Sequence, residues 1–362
     1  MPKPVILAVT PESLKRENLT ETIAPWEDGI RMDTGRGNFE WWYYDAHFDD
    51  GSTAVIVFGT KPLIERNSPL KPFVSLTITR PDGTKAMSLL SFPANQFKAE
   101  KEACDVRIGP NWTRGEPSTG SGQRLPQYEV HFEGEGLAAD LTFTGIVPPW
   151  RPGAGKAYFG DLDHFFGWLP AIPHGTVEGT LTYDGQTRAV KGTGYHDHNW
   201  GNVGLNDVMD HWYWGRAHIG EYTLIFVEQI ASNKYGNVHM PVFLLAKGSE
   251  IITGEGAPLT MQTRDFIPHE GGYQYPREVD FNWKSERGSI QLRLRNPKMI
   301  EAVSLLLLLP KWQQRFARLF ANPYYFRFNA DLELDIALDT LSASASGPAL
   351  YEIMILQGKR HP

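Results

Sequence analysis

Cysteine is almost absent: Cys104 is the only one in 362 residues. No intrachain disulfide can form, and a zinc site built on cysteines is excluded. Long runs of one charge sign are missing too, and the formal net charge is −7. A nucleic-acid partner is therefore not expected. Long hydrophobic runs are also lacking. The apolar stretch 5–9 is too short for a signal-peptide core, and the stretch 305–309 is far too short to span a bilayer. These features lead us to expect a cytoplasmic protein. No glycine-rich phosphate loop, Gly-x-Ser-x-Gly elbow or dinucleotide fingerprint occurs, so hydrolase and nicotinamide-enzyme readings lose weight.

Aromatic residues are plentiful at 12%, with 11 tryptophans; large rings line apolar cavities well, so an apolar small molecule is the expected partner. Most segments alternate apolar and polar residues with period two, the signature of half-buried strands. Val74, Leu76 and Ile78 share one face of such a run. Tyr128, Val130 and Phe132 share a second, and Ile290, Leu292 and Leu294 a third. Pro81-Asp82-Gly83 and Asp184-Gly185 suit tight hairpins. The fold class expected is mainly β, as two antiparallel barrel or sandwich domains with a few short helices. The exception is 298–321, which reads as a helix interrupted at Pro310, with Trp312, Phe316, Leu319 and Phe320 on one face. Such a helix would close the end of a barrel, or act as a lid in transient contact with a membrane. An internal echo lays Trp41-Trp42-Tyr43-Tyr44-Asp45-Ala46-His47 on Trp212-Tyr213-Trp214-Gly215-Arg216-Ala217-His218. Two related domains follow, 1–205 and 206–362, with the helical segment in the second.

The chemistry concentrates in two stretches. Gly194–Gly201 reads GYHDHNWG, and residues 39–48 read FEWWYYDAHF. If the first is extended, His196 and His198 share one face, while Tyr195, Asp197 and Asn199 share the other. Three readings stay open. A His-x-His pair can hold a metal, with His211, His218 or Asp210 as further ligands, although no carboxylate follows at the usual spacing. Polar side chains between glycines can serve only as internal caps. A carboxyl group among aromatic rings can stay protonated near neutral pH and act as an acid, with indole and phenol rings stabilising developing positive charge. Asp197, Glu40 and Asp45 all have aromatic neighbours. On a strand, Glu40 falls on the face of Trp42 and Tyr44, and Asp45 on the face of Trp41, Tyr43 and His47, so only one of the two acids can enter a given cavity. The cluster 161–168, DLDHFFGW, reads as a loop or short helix.

Three blocks, FEWWYYDAHFDDGS, GTGYHDHNWGN and HWYWGRAH, occur in the order found in the hydroxyneurosporene synthase family. The chain resembles these carotenoid hydratase-like proteins, whose superfamily includes fungal Diels–Alderases of lipocalin-like form. The resemblance implies two lipocalin-like β domains and chemistry on apolar, often isoprenoid or polyene, substrates without a redox cofactor or metal. It marks Glu40, Trp41, Trp42, Tyr44, Asp45, His196, Asp197, His198, Asn199, Trp200, Trp212 and Trp214 as pocket or junction residues. A hydratase of this kind would use Asp197, or another enclosed carboxylic acid, as proton donor, and His196 or His198 to place the water. The rival readings are a pericyclic cyclase, in which the pocket folds an unsaturated substrate, and a lipophile carrier without catalysis.

Overall fold

The computed structural model describes residues 2–116, 125–304 and 323–357. The chain divides into two compact units, Ile6–Gly204 and a second made of Leu205–Pro362 with Met1–Val5. Each is built on one antiparallel sheet, and the described helices are short, such as Pro11–Arg16 and Leu205–Val208. The protein is therefore mainly β, as the alternation requires.

In the first unit the strands run in space as Lys85–Ser91, Phe73–Thr79, Thr53–Gly59, Phe39–Phe48, Gln186–Gly201, Phe165–Tyr183, Leu137–Gly145 and Gln127–Gly134. Three shorter strands then finish that edge. The aromatic strand Phe39–Phe48 opens a meander, and the motif strand Gln186–Gly201 comes back to pair with it. The second unit winds the same way: Met209–Ile219 pairs with its hairpin partner Tyr222–Ala231 and with the last strand, Leu341–Ile355. The internal echo thus falls on strands with the same place in the two sheets. It also keeps the same facing. Trp42 and Tyr213 enter the two cores, whereas Trp41 and Trp212 do not.

The period-two residues bury as the pattern requires: Val74, Leu76, Ile78, Tyr128, Phe132 and Ile290 are all fully buried. Asp184 and Gly185 both have positive φ, 54° and 69°, between the paired residues Tyr183 and Gln186, which is the two-residue turn that matches strand twist. Two expectations change. Lys298–Ser304 is not helical but ends the strand Gly288–Ser304, paired up to Ser304–Tyr324. Two register shifts in this ladder, at Arg295/Lys298 and Met299/Glu301, absorb the local break in alternation. Residues 305–322, with Trp312, Phe316, Leu319 and Phe320, lie outside the described residues. The cluster 161–168 is a loop only at its start: the Asp161 carboxylate accepts from the backbone N–H groups of Asp163 and His164, and Phe165 begins a strand.

One glycine stands where the backbone of the aromatic strand leaves the motif strand no room for a side chain. A Cβ on Gly192 would come within 2.0 Å of the His47 carbonyl oxygen and 2.7 Å of Phe48 Cα. Both neighbours are backbone, so the strands themselves would have to separate. Gly192→Ala is expected to cost about 1–3 kcal/mol by overpacking, read from urea unfolding; an unchanged midpoint would show that the ladder relaxes freely.

Candidate functional site

The motif strand carries its polar residues on both sides of the sheet. In the ladder, His196 faces Tyr44 and His198 faces Trp42, whereas Tyr195 faces Asp45, Asp197 faces Tyr43 and Asn199 faces Trp41. The pleat therefore makes two separate constellations.

The first lies inside the core of the sheet. His198 Nε2 is 2.7 Å from Glu40 Oε1, and His198 Nδ1 is 3.2 Å from Asp28 Oδ1. Asp28 Oδ2 lies 3.2 Å from His196 Nε2, and His196 Nδ1 is 2.9 Å from the Tyr43 carbonyl. All four side chains are at most 1% exposed. Asp28 comes from the short turn Pro25–Asp28, which is pinned by a buried ion pair between Glu27 and Arg151 (2.7 Å). The Trp42 indole N–H donates to the Asp28 carbonyl, and the Trp42 ring stacks on His198 at 4.6 Å. Tyr44 stacks on His196 at 4.0 Å and shares a 2.6 Å hydrogen bond with Thr113. Glu40 also accepts from the backbone N–H groups of Arg31 and Met32.

Hydrogen bonding ties this cluster together. A carbonyl only accepts, so His196 Nδ1 carries a hydrogen. His196 Nε2 bonds Asp28 and His198 Nε2 bonds Glu40, whereas His198 Nδ1 and Asp28 Oδ1 face each other at 3.2 Å without a hydrogen bond. Burial alone would raise the Asp28 pKa, but the two imidazoles outweigh it and hold the carboxyl well below the usual range. Burial also opposes charge on His198, yet the facing carboxylates of Asp28 and Glu40 prevail and its pKa is raised. Asp28, Cys104 and His196 each present one ligand atom, all within 4.8 Å of one another. This mixed set is the one the fold offers to a metal among the described residues. In the structure, however, His196 and Asp28 satisfy each other, and burial pushes the Cys104 thiol up, so it is neutral. The ligands suggested by sequence are elsewhere: His211 meets Asp210 at 2.8 Å and His218 meets Thr223 at 3.1 Å, in the second unit.

The second constellation is on the opposite face. Asp197 accepts three hydrogen bonds: from the Trp168 indole N–H (2.8 Å), the Tyr195 hydroxyl (2.7 Å) and the Asn199 amide (2.7 Å). All three donors are neutral. Burial dominates and raises the Asp197 pKa despite them, so this carboxyl favours the protonated form more than an exposed one does. Trp168 stands opposite Asn199 from the neighbouring strand Phe165–Tyr183, and Trp41 stands opposite it from the other side. Register shifts at Pro170/Ile172 and Ile172/Gly175 lie beside the motif, where bulges commonly re-aim side chains. Tyr43 donates to Asp45 Oδ2 at 3.1 Å, and His47 Nε2 is 3.1 Å from Asp45 Oδ1.

The candidates from sequence therefore separate. Asp197, Asn199, Asp45 and Trp41 share one face. His196, His198, Glu40, Trp42, Tyr44 and Trp200 share the other, in contact with core residues. The two histidines cannot serve Asp197 as a water-placing base, because the sheet lies between them. Trp212 and Trp214 belong to the second unit, where the Trp212 indole N–H points to Glu352 Oε1 at 3.5 Å. Sequence reasoning passed over Asp28, whose segment PWED carries no signal of a buried acid, and Trp168, which register alone brings to Asp197.

A family model described as Diels-Alderase-like matches residues 33–302, well over half of the chain. The chain belongs to the Diels-Alderase-like family. Quinolone epoxide rearrangement protein penF of Penicillium thymicola is 24% identical over 249 residues, 62% of this chain and 64% of that protein. Hydroxyneurosporene dehydrogenase of Chlorobaculum tepidum is 23% identical over 222 residues, 52% of this chain and 56% of that protein. The chain thus spans somewhat less than two thirds of the length of the curated relatives it matches. Among solved structures, CghA with Sch210972 aligns with a TM-score of 0.60 at 14% identity, covering 93% of this chain and 97% of that one. Kievitone hydratase from Nectria haematococca aligns at 0.53, with 14% identity and the same coverage. These likenesses establish the β-rich, lipocalin-like fold of the Diels-Alderase-like family, and the resemblance carried by the three sequence blocks holds. Among the described residues no helix is long and apolar enough to cross a membrane.

Proposed function

We propose that the chain is an enzyme of small-molecule metabolism in which Asp197, held as a neutral carboxylic acid, activates an apolar unsaturated substrate. The observation that carries this reading is the Asp197 environment, on the face opposite the core cluster: its burial raises the pKa against three hydrogen-bond donors that favour the ionised form. In its finer form the reaction is hydration of a C=C bond. Asp197 protonates one alkene carbon, water adds to the other, and the water's second proton leaves to a base. Trp41, Tyr43 and Trp168, on the same face, supply ring faces for the cationic carbon. A hydratase among the structural neighbours and an epoxide rearrangement protein among the relatives are consistent with acid activation of a neutral substrate.

The family description favours a second reading, a cycloaddition in which Asp197 or Tyr195 hydrogen-bonds a substrate carbonyl and the neighbouring rings align the reacting ends. Heavy water separates the two. The purified protein is incubated with a polyene-rich lipid extract in deuterium oxide, and products are analysed by mass spectrometry. Hydration is expected to place one deuterium on carbon and add the mass of water. A new isomeric product with no carbon-bound deuterium would overturn proton transfer to carbon and support the cyclase.

A further inference from the structure

The segment between the turn Pro25–Asp28 and the aromatic strand carries a cation that no anion meets. Arg31 is anchored through its backbone N–H, which donates to Glu40 at 2.7 Å. Its guanidinium carbon lies 4.4 Å from the Trp26 ring centroid and 5.5 Å from that of Trp200. Trp200 stands opposite Glu40 in the ladder, so the pairing that seats Glu40 also seats the second indole. Ring contact uses the flat face of a guanidinium and leaves its N–H bonds, which lie in the plane, for an acceptor. Among the described residues no acceptor takes them, and none takes the Trp26 or Trp200 indole N–H. The two carboxylates nearby are committed. Glu27 holds Arg151 and the Ala24 N–H. Glu40 accepts from the Arg31 and Met32 N–H groups and faces His198. Their charges favour the Arg31 cation, but burial is the larger effect and lowers its pKa. The guanidinium keeps its proton even so.

We propose that Arg31, Trp26 and Trp200 bind the carboxylate of a small organic acid, whose apolar body lies along Met32 and Phe165. An arginine and two indoles offer donors only. A carboxylate brings acceptors only, and its two oxygens match the planar fork of a guanidinium. An alcohol or an amide brings donors of its own and no charge. Arg31 and Trp26 are half-buried, so a solute reaches them while much of the water is excluded. Met32 and Phe165, also half-buried, pack with Trp200 against the buried Ile23 and Leu169 and supply the apolar wall. The Glu40 carboxylate fixes the backbone at Arg31 and Met32 together, so fork and wall are held at one place. Trp200 lies on the face of the motif strand opposite Asp197, and the site stands whether or not Asp197 is an acid catalyst.

The test compares octanoate with octanamide, which has the same chain without the charge. Tryptophan labelled with heavy nitrogen in the indole reports each ring N–H by NMR, and loss of a signal in Trp26→Phe and in Trp200→Phe identifies the two that matter. Octanoate is expected to shift both in the natural protein. Octanamide should need a concentration higher by about tenfold or more, the margin of a hydrogen bond to a charged group over a neutral one. Arg31→Gln should weaken octanoate by a similar factor and leave octanamide little changed. The Trp42 indole N–H, which donates to the Asp28 carbonyl, should keep its position throughout, as the mark of an intact barrel. Equal affinity for the two compounds, no shift with either, or natural affinity for octanoate in Arg31→Gln would overturn the site. The comparison of the two compounds needs no variant, so it decides the matter even where Arg31→Gln folds poorly.

Discussion

Asp197→Asn is expected to lower turnover by about two to four orders of magnitude, the usual contribution of a positioned general acid, while the folded protein becomes no less stable at neutral pH. The second half follows from the sign of the pKa shift. A raised carboxyl pKa means that the folded environment prefers the neutral form. Its contribution to stability is fully present below the unfolded-state pKa, about 4, and is lost as pH rises through the raised folded value. Asparagine mimics the neutral acid. Its oxygen keeps the Trp168 and Tyr195 donors, and Asn199 can rotate its amide to accept instead of donate. A residue kept for structure would show the reverse, with stability lost along with activity. Activity of the natural protein should likewise decline as pH rises and Asp197 ionises. Retained turnover in Asp197→Asn, or a rate that increases through that ionisation, would sink the assignment.

The strands were legible because period two survives in a sheet with one buried face: Val74, Leu76 and Ile78 need no tertiary knowledge to be placed. The two-sided split of the motif was legible for the same reason, since alternation alone puts His196 and His198 across the sheet from Asp197. What alternation cannot supply is the partner. Asp28 reaches His196 from a segment eleven residues before Phe39, held by an ion pair to Arg151 more than a hundred residues further on. Trp168 reaches Asp197 only through the register of a strand that slips twice near Pro170 and Ile172. Strand periodicity is local information, while register and loop closure are set by packing over the whole sheet. The stretch 298–304 failed for a related reason. Its apolar residues fit a helix in isolation, but a waiting ladder with Tyr324–Leu338 supplies hydrogen bonds that period alone does not reveal.

Glu40→Gln is expected to destabilise the fold by about 3–5 kcal/mol, as breaking one partner of a buried ion pair does, and to move the alkaline limb of stability to lower pH. Glu40 faces three donors, the N–H groups of Arg31 and Met32 and His198 Nε2. A glutamine offers one oxygen, and its amide nitrogen must confront a donor. The charge on His198 then depends on Asp28 alone. His198 has a raised pKa, so its contribution to stability is complete below the unfolded value near 6.5 and is lost as pH rises through the folded one. Asp28 is the opposite case. Its lowered pKa gives stability that is present above the unfolded value and lost as pH falls through the folded one. The natural protein should therefore show a stability plateau between the ordinary carboxylate and imidazole ranges, extended upward on its alkaline side. Removing Glu40 takes away one of the two groups that raise His198, so the extension should contract. Urea unfolding from pH 4 to 9 reads both effects, with a limiting slope of about 1.4 kcal/mol per pH unit for each proton. Because both carboxylates act on His198, Asp28→Asn combined with Glu40→Gln should cost less than the sum of the two single changes. Strict additivity, or an alkaline limb that does not move, would mean that Asp28 and Glu40 do not act together on His198.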